Sequence, residues 1–338
     1  MILNIIWFIL IAVLLGGYAI LDGFDLGVGA TTLFIKNPNH KRILMNAIGP
    51  VWDGNEVWLI TGGGALFAAF PHVYASVFSG LYLALMLVLL FLIARGLALE
   101  FRSKIEKQSW INFWDLVFGI SSLILPVLFG VAIGNLLTGL PVGADKNINI
   151  SLFGLLMPYP VLAGVLTLVL FIMHGSLYAL NKTDSELNQQ LKKIGNIFAW
   201  IFSGLWVIAT IITILFVPHA IKNFQSFPPF YVIPIIVLVL ALLIPSCILK
   251  EKYKQGFAYS FLIIFLAMAT FAITMFPNFV PSTIDPNYSL NIYNGASSQL
   301  TLKTMLIIAA IGMPFVIGYT IWINHVFRGK VKIEEHSY

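Results

Sequence analysis

Charge is what this sequence has least of. Only 10% of its 338 residues are Asp, Glu, Lys or Arg, against 59% hydrophobic, whereas a soluble domain carries about 25% charged residues. With a mean hydropathy of +0.93, the chain is expected to be an integral membrane protein with no separate soluble domain. Cysteine is nearly absent. The lone Cys247 excludes an intrachain disulfide, Cys-x-x-Cys-His haem attachment and any cysteine metal cluster, and it reads as a small buried apolar residue. No Walker A sequence and no G-x-G-x-x-G opening a helix are present, which removes the common nucleotide-binding signatures. Met1–Leu21 lacks a basic n-region and an A-x-A-like site, so it is expected to be the first membrane span rather than a cleaved leader. The net charge of +5 would suit nucleic acid in a soluble protein. In a chain this apolar it is expected in cytoplasmic loops.

A span needs about 20 mainly apolar residues. Nine stretches qualify, roughly 3–28, 50–70, 74–99, 113–139, 155–180, 196–217, 230–249, 256–276 and 303–326. The weakest is 50–70, which contains Asp53, Glu56 and three successive glycines; if it were re-entrant, eight spans would remain. With nine, 16 of the 19 basic residues fall on one side, leaving Lys146, Lys222 and Lys303 on the other. The positive-inside rule then places the N-terminus outside and the C-terminus in the cytoplasm. The polar linker 181–195 is expected to separate an N-terminal helix bundle, 1–180, from a C-terminal one, 196–338, within a single membrane domain. The stretch 277–302, rich in Pro, Asn, Ser and Tyr, is expected to be an irregular external loop.

Against this apolar background four carboxylates stand out: Asp22 and Asp25 in DGFDLGVG, and Asp53 and Glu56 in WDGNEVWL. Charge at membrane depth is costly, faces the protein interior and marks ion or proton pathways. The orientation gathers all four, with Asp115, Glu100 and Arg95, toward the cytoplasmic ends of their spans. The outward loops carry only Asp145 and Asp285. Residues three apart share a helix face, so each pair can line one cavity, and neighbouring carboxylates in a low dielectric cannot both ionise cheaply. A carboxyl group that holds and releases a proton suits proton transfer. Structural roles compete with this. A helix dipole would favour Asp53 at the start of its span, and an ion pair with Arg95 would neutralise one acid. Trp52 fits an interfacial anchor; Trp58 lies deeper, at a depth where a tryptophan can pack on a quinone or haem edge. Gly23 and Gly27, and Gly130 and Gly134, form G-x-x-x-G pairs that let helices approach closely.

Histidine is too sparse for a metal centre. There are six, of which only His174 lies deep in a span, and no pair has haem, zinc or copper ligand spacing. His174 is expected to be a hydrogen-bonded helix contact, and no metal is expected to be held by this chain.

The run GGYAILDGFDLGVG, then RILMNAIGPVWDGNEVWLITGGG and the helix that follows, then WDLVFGISSLILPVLFGVAIGN, resembles subunit II of the cytochrome bd-type quinol oxidases over residues 16–141, with hydropathy and length continuing the likeness beyond. The resemblance implies an all-α polytopic fold of two four-helix bundles and a peripheral helix. It implies membership of a prokaryotic inner-membrane oxidase that takes electrons from a quinol and reduces oxygen to water. Haem b and haem d would be held by a partner, subunit I. A structural quinone occurs in some members, and a small single-helix accessory subunit and lipid are further partners. The aspartate of W-D-G-N, here Asp53, is assigned to a cytoplasmic proton channel, and Trp52, Asp22 and Asp25 match neighbouring motif positions. Asn135, in the last matched segment, is expected to be a packing residue with Trp58 and Arg95. Two readings from other classes remain: a proton-coupled secondary transporter, which internal repeats and midplane acids would favour, and a purely structural scaffold.

Overall fold

The computed structural model describes residues 1–331; His336 and Lys332 lie outside them. Twelve α-helices run in chain order. They are α1 (Ile2–Thr31), α2 (Pro38–Ile48), α3 (Trp52–Ala69), α4 (Pro71–Gly80), α5 (Tyr82–Phe101), α6 (Gln108–Thr138), α7 (Pro158–Lys182), α8 (Ser185–Phe216), α9 (Lys222–Ser226), α10 (Val232–Leu249), α11 (Tyr253–Met275) and α12 (Gln299–Val326). Local chemistry sets the ends. Pro38, Pro71 and Pro158 open α2, α4 and α7 at positions where the missing N–H costs nothing. The Asn37 and Ser298 side chains cap α2 and α12. Gly139, at φ +89, ends α6.

Eight of these helices are long and apolar enough to cross a membrane. α3 is not among them, because its acids lower its apolarity, yet it packs along α1. Asn55 contacts Leu21 and Asp25 of α1, Gly62 sits against Leu14 and Leu15, and Phe70 shares a core with Trp7 and Phe8. α3 therefore runs antiparallel to α1 over nearly its whole length. The chain is an all-α polytopic membrane protein, with α7, α8, α10 and α11 in mutual contact and α1, α3, α5 and α6 beside them. α12 falls late in the sequence yet packs on α1 and α3.

Three sequence expectations change. The span expected at 74–99 is two helices broken at Leu81, next to Gly80, which is pressed against Ile148 of the α6–α7 loop with no room for a side chain. The linker 181–195 is mostly helix. Leu187 and Leu191, one turn apart, are buried and pull the polar start of α8 onto the core. The stretch 277–302 is a structured cap. Its strands β1 (Asn278–Val280) and β2 (Leu290–Asn291) pair antiparallel, burying Val280, Leu290 and Ile292 over the N-terminal end of α1. Asn4 Nδ2 donates to Ile292 O at 2.6 Å and Trp7 Nε1 to Leu302 O at 2.9 Å, tying this cap to α1.

Glycine decides how closely α1 approaches its neighbours. A Cβ on Gly27 would lie 1.8 Å from the main-chain oxygen of Phe171, and one on Gly175 would lie 2.3 Å from Val28 N. The α1 and α7 backbones therefore touch, as small-residue motifs allow. Gly130 and Gly134 bring α6 equally close to Ala163, Gly164 and Pro160 of α7. This packing seats the acid-bearing end of α1 directly against α7.

Candidate functional site

The acids meet where α1, α3 and α5 converge. Arg95 of α5 is fully buried, and its Nη2 donates to two carboxylates, Asp22 Oδ1 at 2.7 Å and Glu56 Oε1 at 2.6 Å. Asp22 is fully buried, whereas Glu56 keeps 23% of its side chain exposed. Asp25, one turn beyond Asp22 and also fully buried, accepts from Asn55 Nδ2 at 2.8 Å through Oδ2. Asp53 does not join them. It lies on the exposed outer stripe of α3 with Val57, Ile60, Gly64 and Phe67. Three residues span 300° of helix, so Asp53 and Glu56 differ by about 60° in direction, enough to put one in and one out.

Several atoms here have no protein partner. Asp22 Oδ2, Asp25 Oδ1, Arg95 Nε and Nη1 and Tyr18 Oη are buried without a hydrogen bond. Buried polar groups are nearly always satisfied, and internal water serves those that protein atoms do not reach. Tyr18 lies one turn before Asp22 on the same face of α1. Asn55 and Tyr18 were missed by sequence reasoning. The signal was available in their spacing: Asn55 lies between the two acids of its motif, and Tyr18 is four residues before Asp22.

The tryptophans and Asn135 lie outside the acid cluster's hydrogen bonds. Trp58 lies flat against Gly17 in a core with Leu14 and Tyr18. Trp52 is half-buried near Gly96. Asn135, at the other end of the bundle, donates from Nδ2 to Val131 O at 2.8 Å and Leu155 O at 2.9 Å. A second buried ion pair, Arg102 Nε to Asp115 Oδ1 at 2.5 Å, pins the α5–α6 turn.

The histidines of this chain are dispersed. The buried His174 has both ring nitrogens engaged, by Ser260 Oγ at 2.7 Å and Ile20 O at 3.0 Å. His72, His219 and His325 are exposed. Among the described residues no three His, Cys, Asp or Glu side chains are grouped to hold a metal ion.

Residues 3–327 match the family described as cytochrome bd terminal oxidase subunit II. The chain belongs to that family. Cytochrome bd-I ubiquinol oxidase subunit 2 of Escherichia coli K12 is 36% identical over 365 aligned positions, covering 99% of this chain and 96% of the relative. Cytochrome bd ubiquinol oxidase subunit 2 of Bacillus subtilis 168 is 36% identical over 336, covering 98% of each. The fold is also that of a chain in the solved bd oxidase of Geobacillus thermodenitrificans, with a TM-score of 0.77, 17% identity, and 97% of this chain and 99% of that one covered. This subunit II is therefore one component of a quinol oxidase complex, and membership implies haems within that complex and a partner subunit I.

Proposed function

We propose that this subunit II conducts protons from the cytoplasmic membrane surface toward the oxygen-reducing haems, which subunit I holds. The observation that carries the reading is the single buried guanidinium of Arg95 shared by Asp22 and Glu56, with Asp25 beside it. Three acids against one arginine leave two negative charges in excess if all ionise. In a low-dielectric interior that excess is unfavourable, so the cluster retains protons and can exchange them. Glu56, partly exposed, is the group through which the cluster communicates with the outside of the chain. Asp53, one turn away on an otherwise apolar stripe, would be costly against lipid. A partner covering that stripe would receive protons from it. Tyr18 and the unpartnered carboxylate and guanidinium atoms provide sites for ordered water between the acids.

Sidedness follows from charge. The acid cluster, the α2 connection and the end of α12 all lie at the end of the bundle opposite the N-terminus. That end carries most of the basic residues, which supports a cytoplasmic position. Oxygen reduction consumes protons, and drawing them from the cytoplasm makes turnover electrogenic. Engaged ring nitrogens on His174 support haem ligation by subunit I rather than here. The test is Glu56→Gln in the assembled oxidase. Oxygen consumption is expected to fall by about a hundredfold, the low end of what a positioned proton-transfer group contributes, with the haem spectrum unchanged. Haem content falling in step with activity would reduce the cluster to a structural ion network.

A further inference from the structure

We propose that a cleft between the ends of α10 and α11 binds the phosphate-bearing headgroup of an anionic phospholipid. The cleft has a volume of about 190 Å³. Room for one water takes about 10–15 Å³ of such space, so the cleft is ample for a phosphate group. Lys250 and Lys252 line it, with Ser246 and Gln255 as further polar groups and Leu243 on its apolar side. Gln255 Nε2 donates to Tyr259 Oη at 2.6 Å, which orders that wall.

The turn between the helices is built to present the two lysines. Glu251 adopts φ +57, a left-handed conformation unfavourable for a residue with a Cβ. It closes α10 as a Schellman turn: Lys252 N donates to Cys247 O at 2.9 Å and Glu251 N to Ile248 O at 3.2 Å. The one acid in the turn is drawn away from the cleft, where Lys192 Nζ donates to Glu251 Oε1 at 2.6 Å. Lys192 also holds the Glu251 carboxyl below the usual carboxylate range. Among the described residues, neither Lys250 nor Lys252 is paired with an acid. Ordinary topology-setting lysines need neither a cleft nor a strained turn. The position suits a lipid. α10 is apolar through Leu249, the lysines begin where it ends, and exposed Leu242, Leu243 and Leu249 lie alongside. Basic pockets between membrane helices bind anionic headgroups in this way. The inference rests on the chain spanning a bilayer and is independent of the proton pathway.

The test uses the intact oxidase complex in mild detergent, with retained lipids counted by native mass spectrometry and phosphatidylglycerol added back. Wild type is expected to retain an anionic phospholipid that phosphatidylcholine does not replace. Lys250→Gln with Lys252→Gln is expected to weaken binding roughly 30-fold, from about fivefold per lysine. Leu243→Trp, which fills the cleft and keeps both charges, is expected to lose the lipid as well. Lys254→Gln, which removes a charge outside the cleft, is expected to retain it. Equal retention in the double variant, an equal loss in Lys254→Gln, or displacement by excess inorganic phosphate would each overturn the proposal.

Discussion

At the scale of single residues, Arg95 organises the site. It is among the largest fully buried side chains in the protein, and its surroundings are acidic rather than apolar. Removing one partner of a buried ion pair leaves an uncompensated charge, which costs about 3–5 kcal/mol. Arg95→Leu is therefore expected to lower the yield and melting temperature of the assembled oxidase. A thermal unfolding scan of the purified complex reads this, and an unchanged melting temperature would show that Asp22 and Glu56 do not depend on the guanidinium. Asp53→Asn belongs to a different class. Asp53 faces outward from this chain, so its neutralisation leaves no unpaired charge inside the subunit's own core. Stability should therefore hold while oxygen-reduction turnover falls, and that separation is what distinguishes a proton-conducting residue from a packing one. The acids and Arg95 were visible in the sequence as charges in apolar runs. An ion pair with Arg95 was anticipated as one alternative; which acids share it was not, because Asp22 and Arg95 are 73 residues apart and only packing brings them together.

At the scale of elements, the approach of α1 to α7 governs how the acids are held. Gly27→Ala would place a methyl group 1.8 Å from a main-chain oxygen, which no rotamer change relieves. The helices must separate. Overpacking of a core costs typically 1–3 kcal/mol and occasionally more, and here the displaced helix carries Asp22 and Asp25. The expected outcome is a loss of assembled complex in the membrane fraction, measured by haem absorbance per milligram of membrane protein. By contrast, Gly63 and Gly64 of α3 have nothing within 4 Å, so alanine at either position is expected to leave the isolated fold intact. The G-x-x-x-G spacing was legible in the sequence. Which helix each glycine met was not, since the spacing names a face and not its partner. The early start of α8 was not read from the sequence, because the polar composition of 181–195 outweighed the helical spacing of Leu187 and Leu191.

At the scale of the whole molecule, the exposed apolar surface is large. α12 buries only Leu302, and α3 and α5 present outward rows of Val57, Ile60, Phe67, Leu83, Leu90 and Ile93. Lipid or a partner subunit must cover these faces. If the haems belong to subunit I, this subunit purified alone should show no haem absorption between the Soret and red regions. A haem spectrum from the isolated chain would overturn the ligand assignment drawn from His174.

The amino-acid order by itself determined that this chain lies in a membrane and which acids stand out in its apolar runs. Those properties depend on local hydropathy and on short motifs, which neighbours in sequence define. Tertiary structure alone decided that Arg95 serves two carboxylates, that Asn55 serves a third, and that Asp53 faces outward. Sequence spacing fixes a helix face only to within about one residue's rotation, and the partner across that face comes from another part of the chain.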